Sequence, residues 1–390
     1  MASDLRKLIV DRRLWLGPAP WLVLILAAVN VWVSASSASW KQQRVNTLLV
    51  ASPTATTMPA EVNYDVSCGE AIGTFWKYIP NARKQRLVIL CGMSQMHAIS
   101  DAKPGDRLIS QWMDDTLKPQ GVRVWGEAAP NLCNEEATMQ MIALCSDPRT
   151  TPAVFIYGLC FDKFRDVDLR PGYQDFMRSR PDIEAAWKAT AERFAKTYPL
   201  ASAKMLSTLQ DLHASAGADE NTFESRLRAR VGSWLPLVGA RKDLYAVVAI
   251  DLYQARNAIL HITPTSKRPI IQSRYELNKQ FLSLIADIAK EHHVQLIVYV
   301  IPLNPLGNNP YVPEQYAAFK VYARQFAEER GIPFANFETL VPASGWGYFN
   351  GGPDFKHFRE IGHELTSKAV MAAFGPWLLG TATSTTSIMR

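Results

Sequence analysis

Apolar positions along this chain fall into two kinds of run. RLVILCG from Arg86, PAVFIYGL from Pro152 and VQLIVYVIPL from Val294 are nearly continuous apolar stretches, the pattern of strands buried on both faces. GVRVWG at Gly121–Gly126 and IPFANFE at Ile332–Glu338 read as shorter strands. Between them the spacing turns helical: DRLISQWMDDTLK, NEEATMQMIALC with Asn134 as N-cap, RYELNKQFLSLIADIAKEHH, PEQYAAFKVYARQFAEERG ending at Gly331, and a last helix from about Glu360 to Phe374. Buried strands separated by helices predict an α/β fold of three layers, a mostly parallel sheet covered on both sides. No internal repeat is visible.

The alternation breaks between about Phe176 and Ser273, where helical patterns follow one another without a strand. This region reads as a helical insertion whose ordinary role is a cap packed on the sheet. Arg226, Arg228, Arg230, Trp234, Leu235 and Leu237 fall close together and offer a second role, docking to a membrane partner. At the other end, Leu14 to Trp40 is a run of 27 residues without charge, preceded by Arg6, Lys7, Arg12 and Arg13. About 20 mostly apolar residues suffice to span a bilayer as a helix, and the basic flank orients the remainder of the chain outward. The rival reading is a cleaved signal peptide, since SASSAS supplies small residues after the apolar run. Either one exports the domain. The expected organisation is a cytoplasmic tail and N-terminal transmembrane anchor at 1–40, a stalk and domain entry at 41–85 including Pro/Thr-rich Ser52–Asp65, the domain at 86–374, and a tail at 375–390.

Composition changes this picture little. The 390 residues are 48% hydrophobic and 20% charged, ordinary for a folded protein. The net charge of +6 comes without a Lys/Arg run or a basic stripe with interleaved aromatics, so nucleic acid is excluded as the expected partner. The five cysteines include no C-x-x-C pair. In an exported chain a Cys133–Cys145 disulfide, or one using Cys68, is open, whereas Cys91 reads as a small core residue within a strand.

The candidate chemistry sits where the first strand stops, at Gly92-Met93-Ser94. A strand that ends on a Gly-x-Ser turn presents a serine at the tip of the sheet. A serine hydroxyl needs a base to act as nucleophile at neutral pH. GGPDFKHFREIGHELTSKAV supplies one: after a loop of Gly351, Gly352 and Pro353, Asp354 and His357 are spaced so that one short turn presents carboxylate and imidazole together. Ser94, His357 and Asp354 complete the inventory of a catalytic triad. His97 reads as packing locally beside Ser94, and Asp162, Arg165 and Asp166 as solvated loop charges. His357 and His363 lack a helical metal-ligand spacing, so neither a metal nor a cofactor is expected.

With Gly-x-Ser near the start of the domain and Asp-x-x-His before the last helix, the chain resembles the SGNH/GDSL-type esterases and acyltransferases. With the anchor, the insertion and YGLCFDKFRD, it looks most like the DltD-like and AlgJ/AlgX-like polysaccharide O-acetylation proteins within them. Two positions depart from the usual pattern. Met93 precedes the serine in place of aspartate, and Gly158-Leu159-Cys160-Phe161 lacks the asparagine of the third motif. The resemblance implies an SGNH hydrolase-like fold. It also implies an oxyanion hole from the Ser94 N–H and a loop residue near Gly126, with Asn131 or Asn134 as a side-chain donor. The activity implied is O-acetylation of a cell-envelope or secreted polysaccharide, with an MBOAT-type membrane acyltransferase as partner, at the bacterial inner (cytoplasmic) membrane with the domain in the periplasm or outside. Deacetylation by a periplasmic esterase, and a scaffold without turnover, are the alternatives.

Overall fold

The computed structural model describes residues 85–103, 105–129, 131–216, 266–307, 309–349 and 352–382, with isolated positions between 21 and 35 and at 259. Met1–Thr47 and Ser215–Thr263 group as one unit, and Leu48–Ala214 with Pro264–Arg390 as another. The second unit carries all the strands described below. Of the first, Trp21, Leu24, Ile25, Val31 and Trp32 are helical and exposed. The rest of the expected anchor, the stalk, Cys68 and the Arg226–Leu237 stretch lie outside the described residues. Among the described residues no helix is long and apolar enough to cross a membrane.

Among the described residues, five strands form the parallel sheet: β1 Arg86–Met93, β2 Val122–Ala129, β3 Val154–Leu159, β4 Gln295–Val300 and β5 Phe334–Asn336, in the order β2-β1-β3-β4-β5. Every residue of β3 is buried, as are all but the first of β1 and of β4, which explains why these segments are apolar without alternation. Met93 faces Ala129 and Cys91 faces Tyr157, so β1, β2 and β3 end level with one another. The chain first steps from β1 to β2 and then reverses to build the other side of the sheet. Crossovers between parallel strands are right-handed, so α1 (Ile109–Leu117) covers one face, and α2 (Asn134–Cys145) covers the other. After the helical layer α3 (Pro171–Ser179), α4 (Pro181–Arg193) and α5 (Pro199–Ala216), α6 (Gln272–Glu291) packs on α2, and α7 (Pro313–Arg330) follows on the same face. The last helix, α8 (Glu360–Leu379), packs on α1.

Helix α2 is buried on every side because α4 lies over it while the sheet lies under it. The described part of the insertion is thus an outer layer on α2, and it begins at Pro171. Burying NEEATMQMIALC requires its acidic residues to be paired. The Glu136 carboxylate accepts from Arg170 and from the Cys133 N–H, and Glu135 accepts from the Asp168 N–H and the Thr208 hydroxyl at 2.9 Å each. Cys133, not Asn134, is the N-cap residue. Cys133 and Cys145 stand at opposite ends of this helix, about 18 Å apart at 1.5 Å per residue. That is too far for a disulfide, and both thiols are free and buried.

The last helix outruns its expected end at Phe374. Its final turn is held by Arg86, whose guanidinium donates to the carbonyls of Leu378 at 2.8 Å and Trp377 at 3.0 Å, joining the end of this helix to the start of β1. Before it comes a feature that the residue pattern did not suggest, an antiparallel hairpin of β6 (Trp346–Phe349) and β7 (Gly352–Phe358). Trp346 pairs with Phe358 and Tyr348 with Pro353 around a register shift.

Close packing at the end of β1 makes a testable demand on β3. The Met96 thioether crosses from one strand to the other, and a Cβ added at Gly158 would meet Met96 Cε at 2.3 Å, Ile301 Cγ2 at 3.1 Å and Tyr299 Cζ at 3.2 Å. Gly158→Ala is expected to lower stability by about 1–3 kcal/mol through overpacking, measured by urea unfolding. An unchanged midpoint would show that Met96 moves aside freely.

Candidate active site

Strand β1 runs directly into a single 3₁₀ turn, Ser94–Met96, closed by the N–H groups of His97 (3.1 Å) and Ala98 (2.9 Å) donating to the Ser94 carbonyl. This puts Ser94 at the carboxyl end of the sheet beside the point where strand order reverses, the place where open α/β sheets bind ligands. The Ser94 hydroxyl lies 2.8 Å from His357 Nε2, and His357 Nδ1 lies 2.7 Å from Asp354 Oδ2. The second oxygen, Asp354 Oδ1, accepts from the N–H of Lys356 (2.9 Å) and of His357 (3.1 Å). Asp354 and His357 stand on β7, not on a turn after a glycine loop as their spacing suggested; the local turn is made by the carboxylate itself bonding these two N–H groups.

The network assigns the tautomer. A carboxylate can only accept, so Nδ1 carries the hydrogen and Nε2 offers its lone pair to the Ser94 hydroxyl. Burial acts to raise the Asp354 carboxyl, but the bonds from the His357 ring and the two backbone N–H groups outweigh it and hold the group below the usual carboxylate range. Ser94 is 9% exposed, whereas the His357 side chain is 23% exposed and reaches the surface.

Several hydrogen bonds lock the serine turn to the hairpin. Gln95 Nε2 donates to the carbonyls of Lys356 (2.7 Å) and Pro302 (2.8 Å), joining the residue after the serine to the residue before the histidine. The Ser100 N–H donates to the Phe358 carbonyl at 3.0 Å. From the other side, Asn304 Nδ2 donates to the Asp354 carbonyl at 2.7 Å and the Asn304 N–H to the Phe355 carbonyl at 3.0 Å. His363 Nε2 donates to the Ala98 carbonyl at 3.1 Å. Burial first, then repulsion from His357, pushes His97 down to about 4, and burial pushes His363 down to about 3.

The other expected site residues have different placements. Gly126 pairs with Leu90 inside the sheet, three residues short of the end of β2, so its N–H is not at the strand end. Asn134 is fully buried and its amide is committed, Nδ2 donating to the Asn278 carbonyl at 3.3 Å and Oδ1 accepting from the Tyr157 hydroxyl at 2.7 Å. Asn131, left-handed at φ 49°, follows β2, and its Oδ1 accepts from Lys356 Nζ at 3.0 Å. Asp162 is a buried hub and not a solvated loop charge: Arg268 and the Tyr311 hydroxyl donate to it, and Arg165 and Lys356 lie close. Gln95 and Lys356 went unnoticed in the sequence, although each adjoins a residue of the triad. Among the described residues no cluster of three or more His, Cys, Asp or Glu side chains is arranged to hold a metal ion.

No protein-family model matches the chain, and no curated protein matches it. Among solved structures it is similar to a GDSL-like lipase from Bacteroides thetaiotaomicron, with TM-score 0.37 and 8% identity over 79% of this chain and 98% of that one. A protein from Parabacteroides merdae described as a GDSL-like lipase gives TM-score 0.36 and 11% identity over 75% of this chain and 97% of that one. Likeness at this level assigns neither fold nor activity, and the strand order and the Ser94–His357–Asp354 geometry stand by themselves.

The buried histidine at the rear of the site has a measurable signature. An ordinary histidine titrates near 6.5. Below that pH the unfolded chain takes up a proton at His363 that the folded chain refuses, so stability falls as pH drops toward about 3. Glu127 and Glu135, raised to about 7 by burial, act in the opposite direction, and a variant is needed to separate the effects. Urea unfolding of wild type and His363→Gln should show the wild type losing about 1.4 kcal/mol relative to the variant for each pH unit below 6.5. A difference independent of pH would mean that folded His363 titrates normally.

Proposed function

We propose that this chain is a serine acyltransferase, exported and held at the bacterial inner membrane by its N-terminal segment, which O-acetylates a cell-envelope or secreted polysaccharide. The observation that carries the chemistry is the hydrogen-bonded line from Ser94 Oγ to His357 Nε2 and from His357 Nδ1 to Asp354. In the first half-reaction Ser94 Oγ attacks an acyl carbonyl while its proton passes to Nε2. When the tetrahedral adduct collapses, the leaving alkoxide takes that proton and Ser94 is left esterified. In the second half an acceptor hydroxyl gives its proton to Nε2 and attacks the acyl-serine, and Ser94 departs with the proton. Asp354 orients the ring and stabilises the imidazolium in both halves.

The acceptor and the donor rest on other support. The resemblance of the two short motifs to polysaccharide O-acetylation proteins favours a glycan hydroxyl, with an MBOAT-type membrane acyltransferase delivering the acyl group. Exposed helical Trp21, Leu24, Ile25, Val31 and Trp32 favour membrane attachment, which would keep Ser94 near such a partner. Hydrolysis is the second reading, favoured by a triad that is complete within one chain: with water as acceptor the same steps describe a carbohydrate esterase.

Intact-mass analysis after exposure to a fluorophosphonate should show one adduct on wild type, mapped to Ser94 and missing in Ser94→Ala. A folded, unlabelled wild type would favour a scaffold without turnover. Asp354→Asn is expected to keep the fold and reduce kcat by about 10³–10⁴-fold, because an amide at this position favours the wrong imidazole tautomer. Scoring acetyl transfer to a glycan acceptor against acetate release separates transferase from esterase.

A further inference from the structure

The triad accounts for the nucleophile and its base, but not for the negative charge that develops on the acyl oxygen. Neither Gly126 nor Asn134 is placed to meet it, the one lying inside the sheet and the other having its amide committed to Asn278 and Tyr157. Lys356 is placed differently. Strand β1 lies between β2 and β3, and the three end level. Asn131 follows the end of β2 by two residues, and Asp162 that of β3 by three. Lys356 Nζ contacts groups from both, Asn131 Oδ1 at 3.0 Å and Asp162 Oδ2 at 3.8 Å. Neighbouring strands are about 4.8 Å apart, so these two strand ends stand about 10 Å from each other with the end of β1 between them. A cation that bridges them sits over the end of β1, where Ser94 stands. The backbone of β7 is already there, because the next residue, His357, bonds Ser94 Oγ.

The carboxylate nearest this ammonium is shared with other cations. Asp162 is the nearest carboxylate, yet it also serves Arg268, at 3.1 and 3.3 Å, the Tyr311 hydroxyl at 3.1 Å and Arg165 at 3.6 Å. Three cations therefore share this carboxylate, and Asp166 is a second carboxylate within electrostatic reach of Lys356. At 3.8 Å the contact with Lys356 is an ion pair without a hydrogen bond. An ammonium has three N–H donors; Asn131 takes one of them. The Lys356 side chain is only 10% exposed, and a cation held in such a place is costly unless something there pairs with it.

We propose that Lys356 is a catalytic residue whose ammonium pairs with the oxyanion formed when Ser94 attacks the acyl group, an inference that rests on Ser94 being the nucleophile. As the Ser94 Oγ–C bond forms, the carbonyl π pair moves onto oxygen, and Lys356 donates a charge-assisted hydrogen bond to it without giving up a proton. On collapse that pair re-forms the C=O bond, and the leaving group departs with the proton held by His357. A preorganised donor in a water-poor site is worth far more to this oxyanion than to the neutral ground-state carbonyl. Lys356 therefore acts on kcat and not on KM.

The test uses the full chain with an activated acetyl ester, and binding of a boronic acid that forms a tetrahedral adduct on a reactive serine. Lys356→Met is expected to lower kcat by about 10²–10³-fold with KM little changed, and to weaken boronate binding by a similar factor. Lys356→Arg should recover part of the rate. Should Lys356→Met fail to fold, Asn131→Asp provides the same test. It sets a carboxylate against the retained ammonium and is expected to lower kcat and boronate affinity together. Folded Lys356→Met with wild-type kcat, or with a change in KM alone, overturns the role of Lys356 and leaves the triad standing. Wild-type turnover that survives Ser94→Ala overturns both.

Discussion

A serine hydroxyl and an imidazole exchange a proton only within hydrogen-bonding reach, and in this chain the two are 263 residues apart in sequence. Their contact therefore depends on holding β7 over the end of β1. Gln95 spans from the serine turn to the Lys356 carbonyl, Ser100 bonds the Phe358 carbonyl, and Asn304 bonds the backbone of Asp354 and Phe355. These bonds fix the backbone on both sides of the triad, so the side chains need little freedom to find each other. Gln95 is 1% exposed, and its amide is spent on main-chain carbonyls. Its role is to set distance, not to touch substrate.

The same geometry governs the charges. Asp354 remains a carboxylate despite burial because the His357 ring and two N–H groups donate to it. Two histidines behind it, His97 and His363, are held neutral by burial and by repulsion from His357. Of the described imidazoles near the serine, His357 has a carboxylate on one nitrogen and a hydroxyl on the other, and His97 and His363 do not. That difference in partners separates a base from packing residues of the same type. Asp162, buried just after the end of β3, gathers Arg268, Arg165 and Lys356 around one carboxylate.

Much of the sheet was legible from the pattern of residues. Apolar runs without alternation marked β1, β3 and β4, since strands covered on both faces have no solvent side to record. Helices with one exposed face were likewise visible. The segment of α2 was also read as a helix, but its burial on every side was not foreseen, because α4 removes its solvent face. What failed was local: GGPDFKHF was read as a loop with a turn, and it is mostly strand. Its pairing with Trp346–Phe349 includes a register shift, and the positions buried in alternation are Asp354, Lys356 and Phe358, two of them charged, so the sequence shows no apolar period of two. Asp162 was misjudged for a similar reason. A charged residue after a strand is usually solvated, and only the return of Arg268 and Tyr311 from distant segments buries it.

By itself the sequence determined the α/β class, the buried strands, and the chemical inventory of Ser94, Asp354 and His357, because periodicity and residue type are properties of the chain alone. Tertiary structure decided which of those groups meet, and that the Asn134 amide is committed to Asn278 and Tyr157. It also brought Lys356 from β7 to the ends of β2 and β3. Such facts depend on strand order and on hydrogen bonds between segments hundreds of residues apart, and no local pattern encodes them.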